Sequence, residues 1–226
     1  MAGFAAELRA EHDTIWRSIH QHPFVEGIRT GELSPERFAY YLRQDYVYLV
    51  AYCRVIALAC AKADDVETMI RLADLLSATL SVEMELHRRY SGRFGVAPDA
   101  LVAEAPTPTT HAYTSHLLAT AYSGSLLDVL GSLLPCQVGY YELGTRLSRD
   151  ATPLGHERYG EWIDAYSSPA YGDIVAWLTS RFDGIAEHAS DREHERVRAL
   201  YGRSCRYEYA FWQMALIGES WPPASR

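Results

Sequence analysis

The chain is 226 residues long, 48% hydrophobic and 22% charged, an ordinary balance for a globular protein with a sizeable core. Its net charge of −8 excludes a phosphate-backbone binder, and since every lysine or arginine position except Lys62 is arginine, lysine chemistry would rest on one residue with no glycine-rich loop around it. Cys53, Cys60, Cys136 and Cys205 form no CxxC pair, the opening MAGFAAELRAEHD is charged too early for a signal peptide, and no apolar run nears the ~18 residues of a membrane span, so a soluble cytoplasmic protein is expected.

Helical periodicity runs through nearly every segment and none alternates as a strand, which predicts an all-α, single-domain bundle over 1–226 with its sites between helices. The first helix is expected at 4–21, with His20 and His22 at a helix end beside Pro23. The second, 35–62, opens on Ser34-Pro35-Glu36, an N-cap, a first-turn proline and a first-turn acid. Phe38, Tyr41, Asp45, Tyr48 and Tyr52 recur along it at steps of three and four, an apolar stripe with a carboxylate in its middle. Cys53 and Cys60 on the same helix read as packing. A third helix, 65–91, carries Glu83 and His87 among Glu85, Arg88 and Arg89, which reads as a solvated or salt-bridged face. Thr107-Pro108 opens a helix at 108–123.

The next helix, 125–149, contains LLPCQVGYYELG at 133–144. Pro135 removes a backbone N–H and tends to kink a helix beside Cys136. Cys136 and Tyr140 share a face at i,i+4, and Gly139 is expected to leave that face open. Helices at 156–166 and 170–188 follow. The last, 191–218, opens on a Ser190-to-Glu193 capping box and places Tyr201, Cys205, Glu208 and Trp212 on one face, with Phe211 alongside.

Acids rarely sit in apolar stripes unless they are paired or functional. Asp45 and Glu208 both do. Each is either held by a partner, an arginine such as Arg43 or Arg206 or a tyrosine hydroxyl, or is raised by desolvation into a proton donor near neutral pH. Cys136 by itself reads as a buried core thiol. Taken with the two acids, it gives three helices that each offer one reactive group and an aromatic neighbour, an enclosed site for a small, flat, polar ring. A thiolate can add to an electron-poor heterocycle while a carboxylic acid protonates a ring nitrogen. A second carboxylate can accept hydrogen bonds from an exocyclic amino group and orient the ring, on which aromatic faces stack.

LRQDYVYL at 42–49, EMELHRRY at 83–90, HAYTSHLL at 111–118, LLPCQVGYYELG at 133–144, EWIDAY at 161–166 and YEYAFWQMA at 207–215 together resemble the TenA/thiaminase II family, in family order and over almost the whole chain. The resemblance implies a haem-oxygenase-like helical fold without haem or other cofactor, and a homotetramer. It implies hydrolytic release of the amine from 4-amino-5-aminomethyl-2-methylpyrimidine, or cleavage of thiamin, to give the hydroxymethylpyrimidine in thiamin salvage. By position, Cys136 matches the nucleophile, Glu208 the acid that protonates the ring, and Asp45 the carboxylate at the pyrimidine's amino edge. Tyr48 matches a tyrosine that activates the cysteine. Tyr140 and Tyr166 match pocket tyrosines, and Tyr113 and Phe211 aromatic walls. The chain departs from the family pattern at Gln137-Val138-Gly139, where a glycine is expected to enlarge the pocket.

Other readings compete. A helical metalloenzyme would use Glu83 and His87, with Glu187, His188 and His194 as further ligands. A non-catalytic pyrimidine-binding protein would need the pocket but no thiol opposite an acid. An oligomer scaffold would use the tyrosine-rich helices as interfaces but leaves the two in-stripe acids unexplained.

Overall fold

Helix-start signals in the sequence recur in the fold, which a computed structural model describes for residues 3–223. Among those residues there are twelve α-helices and no strand. α1 (Phe4–Glu11) and α2 (Asp13–His20) replace the expected continuous helix at 4–21. The break falls at His12, whose ring nitrogen turns back onto the Leu8 carbonyl at 2.9 Å. Asp13 then begins a new first turn, where an acid is favoured.

α3 (Pro23–Thr30) has no counterpart in the sequence reading. Pro23 starts this helix, and His22 caps it by accepting the Phe24 N–H on Nδ1 at 3.2 Å. The long α4 (Pro35–Lys62) begins at the expected Ser34 cap.

The expected helix at 65–91 is divided. α5 (Val66–Ala78) passes through a π-helical turn, Thr79–Glu83, into α6 (Met84–Arg93). One extra residue in the turn rotates the face of everything after it, a device common at functional sites. A short α7 (Pro98–Val102) follows.

α8 (Pro108–Ser123) begins where expected, but Thr107 does not cap it with its side chain. The Glu219 carboxylate does so instead, accepting from the Thr109 N–H at 2.8 Å. α9 (Leu126–Asp150) runs unbroken through Pro135, and α10 (Pro153–Ser167) and α11 (Pro169–Ala186) pack on it. α12 (Asp191–Ile217) opens on the expected Ser190–Glu193 box and stops at Gly218, where a positive φ of 66° admits glycine without strain.

α9 lies at the centre, flanked by α12, α10, α11 and α8, while α4 packs across α5, α8 and α12. Both apolar stripes face inward: Phe38, Tyr41, Asp45, Tyr48 and Tyr52 are buried, as are Tyr201, Cys205, Glu208 and Trp212. Rings touch in a chain from Tyr41 to Trp212, Tyr140 and Trp162. Such contacts add rigidity beyond the area they bury. No helix among the described residues is long and apolar enough to cross a membrane.

Candidate active site

α4, α8, α9 and α12 converge on one enclosed pocket, lined by Asp45 and Tyr48 from α4, Tyr113 from α8, Cys136 and Tyr140 from α9, and Glu208 and Phe211 from α12. Seven of the eight site residues expected from the sequence therefore meet. They surround about 160 Å³ of space that nowhere admits a water-sized sphere. Tyr166 lies behind Tyr140, with ring centroids 4.7 Å apart, and its hydroxyl donates to Glu83 Oε1 at 3.1 Å.

The two acids are held differently. Asp45 accepts on Oδ2 from His87 Nε2 at 2.6 Å and from the Tyr41 hydroxyl at 3.2 Å, which leaves Oδ1 for a ligand. Trp162 Nε1 in turn donates to the Tyr41 oxygen at 3.2 Å, and Tyr41 also meets the Tyr140 hydroxyl at 3.1 Å. Burial alone would lower the pKa of the His87 ring, but its bond to Asp45 and the carboxylate's charge outweigh that and raise it. The pair is a buried ion pair fixed at both ends, since His87 Nδ1 rests on the Glu83 carbonyl at 3.0 Å.

Glu208 has no cation. Tyr113 donates to its Oε1 at 2.6 Å. Desolvation pushes its pKa up to about 7, opposed by the Tyr113 bond, so it exchanges protons near neutrality. Neither arginine suggested by the sequence holds an acid here. Arg43 pairs with Glu104 at 3.4 Å, and Arg206 is exposed.

The Cys136 thiol faces Glu208 and Tyr48. Burial first and the Glu208 charge second push its pKa well up, while the Tyr48 hydroxyl pulls it back. Its resting form is the thiol. Tyr48 is driven up in turn by burial, so it can donate to a developing thiolate but cannot take the thiol's proton. Its hydroxyl has no closed hydrogen bond of its own.

Two expectations are corrected. Gly139 does not open the pocket: it faces away, where an added Cβ would meet the Trp16 ring at 3.1 Å, so its role is to seat α2 on α9. Glu83 and His87 do not form a solvated face. His87 is buried and Glu83 half-buried, while Glu85 and Arg89 on the same helix are exposed. Both ring nitrogens of His87 are occupied, and no cluster of metal-binding side chains occurs among the described residues. Of the further ligands of that reading, His194 is engaged elsewhere, its Nε2 meeting the Ala186 carbonyl at 2.9 Å, and Glu187 and His188 are exposed. His87 was thus missed as a partner of Asp45. Its signal was present in EMELHRRY, where one histidine interrupts a charged run at i+4 from Glu83.

A family model described as TENA/THI-4/PQQC matches residues 9–217. A protein of Halalkalibacterium halodurans named aminopyrimidine aminohydrolase is 40% identical over 218 residues, which cover 96% of this chain and 97% of its own. The crystal structure of a protein from Silicibacter sp. TM1040, described as a TenA family transcription regulator, superposes with a TM-score of 0.89 at 34% identity, covering 95% of this chain and 97% of that one. A domain from Shewanella denitrificans described as having a heme oxygenase-like fold superposes with a TM-score of 0.70 at 16% identity, covering 94% and 92%, and this likeness concerns the fold alone.

Proposed function

Because this chain belongs to the TENA/THI-4/PQQC family, we propose that it is an aminopyrimidine aminohydrolase of the thiaminase II type. It hydrolyses 4-amino-5-aminomethyl-2-methylpyrimidine, and thiamin as a second substrate, to 4-amino-5-hydroxymethyl-2-methylpyrimidine in thiamin salvage. The observation that carries this reading is the meeting of Cys136, Glu208 and Asp45 from three helices in one closed pocket with aromatic walls.

In this reading Asp45 Oδ1 accepts from the exocyclic amino group, and Tyr113, Tyr140 and Phe211 sandwich and orient the ring. Because the resting thiol is protonated, its proton must leave as sulfur attacks. The Glu208 carboxylate is the facing group with a suitable pKa, and it passes that proton to a ring nitrogen. Sγ bonds to a ring carbon, and Tyr48 donates to the sulfur. The exocyclic C–N bond then breaks with its electron pair going to nitrogen, so that an ammonium substituent leaves as ammonia and a thiazolium as the neutral thiazole. Water adds to the methylene carbon and loses a proton. The ring N–H returns its proton to Glu208, the C–S bond breaks with its electron pair on sulfur, the aromatic ring is restored, and Glu208 passes the proton back to the thiolate.

The buried pocket, lined by no arginine or lysine, and the net charge of −8 favour this enzyme reading over direct nucleic-acid regulation. The thiol set against an acid favours it over simple ligand storage. Residues 1–226 act as one domain, with no metal or organic cofactor, in a reducing cytoplasm that suits four unpaired cysteines. We further propose a homotetramer, supported by the exposed apolar residues Val66, Met69 and Ile70 on one helix, α5.

The test is product formation from the aminomethylpyrimidine by the wild type, Cys136→Ala and Glu208→Gln. Hydroxymethylpyrimidine and ammonia from the wild type, with losses of at least about a hundredfold in each variant, support the assignment. Undiminished turnover by Cys136→Ala removes the nucleophile role. A wild type that binds the ring without turnover makes it a binding protein.

A further inference from the structure

A second chamber lies directly behind the pocket and takes no part in the steps above. It holds about 350 Å³ between α4, α5, the π-helical turn, α9, α10 and α11. The two spaces share walls. Gln137 of the chamber follows Cys136, the Tyr52 ring stacks on Tyr48 with centroids 6.3 Å apart, and Tyr166 packs on Tyr140. The charge of Glu83 in the chamber is felt at the Cys136 sulfur.

Most of the lining is apolar, yet three polar groups face it with bonding capacity to spare. The Tyr52 hydroxyl and Gln137 Oε1 are buried with no hydrogen-bond partner, and both residues are more than nine-tenths buried. Leaving such atoms unpaired is costly, so a ligand that supplies their partners is favoured here. The third group is Glu83, which receives a single hydrogen bond, from Tyr166; burial raises its pKa, and the cation acting on it is the His87 ring, which is already bonded to Asp45. Tyr166 and Tyr171 meet edge to face at 5.3 Å and turn aromatic surface into the same space. A lone carboxylate, orphaned oxygens and electron-rich rings are complementary to a cation, and they repel an anion.

We propose that this chamber receives the departing half of the substrate and selects departing groups that are cationic, up to the size of a second heterocyclic ring, with Glu83 as the specificity-determining residue. This rests on the hydrolase reading above, in which the bond broken joins the pyrimidine methylene to nitrogen. The chamber bounded by Gln137, Tyr52 and Tyr166 adjoins the pocket wall that carries Cys136, Tyr48 and Tyr140, where the nitrogen substituent of a pyrimidine held by Asp45 would need room. A thiazolium there would stack on the tyrosines, and a simple ammonium would donate to Glu83. An N-formylated amine carries no charge and gains little from either.

The inference is tested with three substrates sharing one pyrimidine: thiamin, the aminomethylpyrimidine and its N-formyl derivative. Glu83→Gln keeps the shape and removes the charge. It is expected to raise KM for thiamin about tenfold or more and for the formyl compound less than about twofold. Ala78→Phe, at the half-exposed rim, narrows the chamber without touching the ring pocket. It is expected to remove thiamin cleavage and spare the aminomethylpyrimidine. Equal losses on all three substrates in Glu83→Gln would overturn the proposal, because Glu83 would then act only through His87 on Asp45. Unchanged kinetics in both variants would overturn it as well.

Calorimetry separates this from failure of the hydrolase reading. Cys136→Ala should bind thiamin more tightly than the hydroxymethylpyrimidine, and adding Glu83→Gln should erase that margin. The margin can be present in a protein that turns over nothing, and its absence in an active enzyme refutes the chamber alone.

Discussion

Glu208 combines two properties that a single substitution pulls apart. Its pKa in the fold is raised from the usual carboxylate value to about 7, so the folded protein holds this proton more tightly than the unfolded chain does. Burial therefore carries no penalty below about pH 4.5, and a growing one as pH rises toward 7 and above, where it reaches about 3 kcal/mol. Glu208→Gln should accordingly stabilise the protein at pH 8, seen as a higher melting temperature, and leave it unchanged at pH 4, while activity is lost. Activity itself should rise with pH through about 7, because the thiol's proton needs the ionised carboxylate. A rate that falls across this range would instead make protonated Glu208 the competent form. His87 acts one step back, as a positioning residue. His87→Gln should raise KM about tenfold or more with a smaller change in kcat, because Asp45 Oδ2 loses its buried partner and the ring its register. Equal loss in kcat would place His87 in the chemistry. Asp45 and Glu208 were legible in the sequence because a charge within an apolar stripe stands out. His87 was not, since a histidine among charged neighbours looks solvated until the face it occupies is known.

At the scale of elements, the faces of long regular helices were readable and the irregular turns were not. α4 and α12 follow a strict spacing of three and four, and their stripes face inward as the spacing requires. The π-helical turn at Thr79–Glu83 breaks that arithmetic, because an inserted residue shifts every later side chain by about 100°. The density of charge around Glu83 and His87, which suggests a solvated face, gives no sign of that rotation. Deleting Ser81, an exposed residue of the turn, should restore α-helical register and swing both residues away from Asp45 and the second chamber. The variant should keep its helical circular dichroism and lose turnover. Retained activity would show that the turn is not what sets these two side chains. α3 and the break at His12 were hidden for a related reason. α3 is capped by the His22 side chain and α1 ends where the His12 ring turns back onto the Leu8 carbonyl, and sequence rules do not count histidine among such signals.

For the molecule as a whole, α9 is the central support, and three other helices reach the site only by packing on it or on one another. Gly139 belongs to this scale. It lets Trp16 approach α9 on the side away from the pocket, and Arg9 then stacks over the indole at 4.4 Å. Gly139→Leu should destabilise the fold by about 1–3 kcal/mol through overpacking and leave substrate preference untouched. A changed preference would return this glycine to the pocket. The exposed apolar side of α5 bears on assembly: the proposed tetramer should have about four times the chain mass of 25.5 kDa in light scattering. Ile70→Glu should shift it to smaller species if that face is used.

The lack of any arginine or lysine around either the ring pocket or the chamber behind it has a consequence for the order of reactions in the cell. Phosphate esters of the same compounds bring a charge of about −2 into a space that already holds three carboxylates, where the one cation, His87, is bonded to Asp45. Thiamin monophosphate should therefore inhibit at least about tenfold less well than thiamin competes. The protein would draw on the dephosphorylated pool, and any enzyme that phosphorylates the alcohol it makes must act downstream of it.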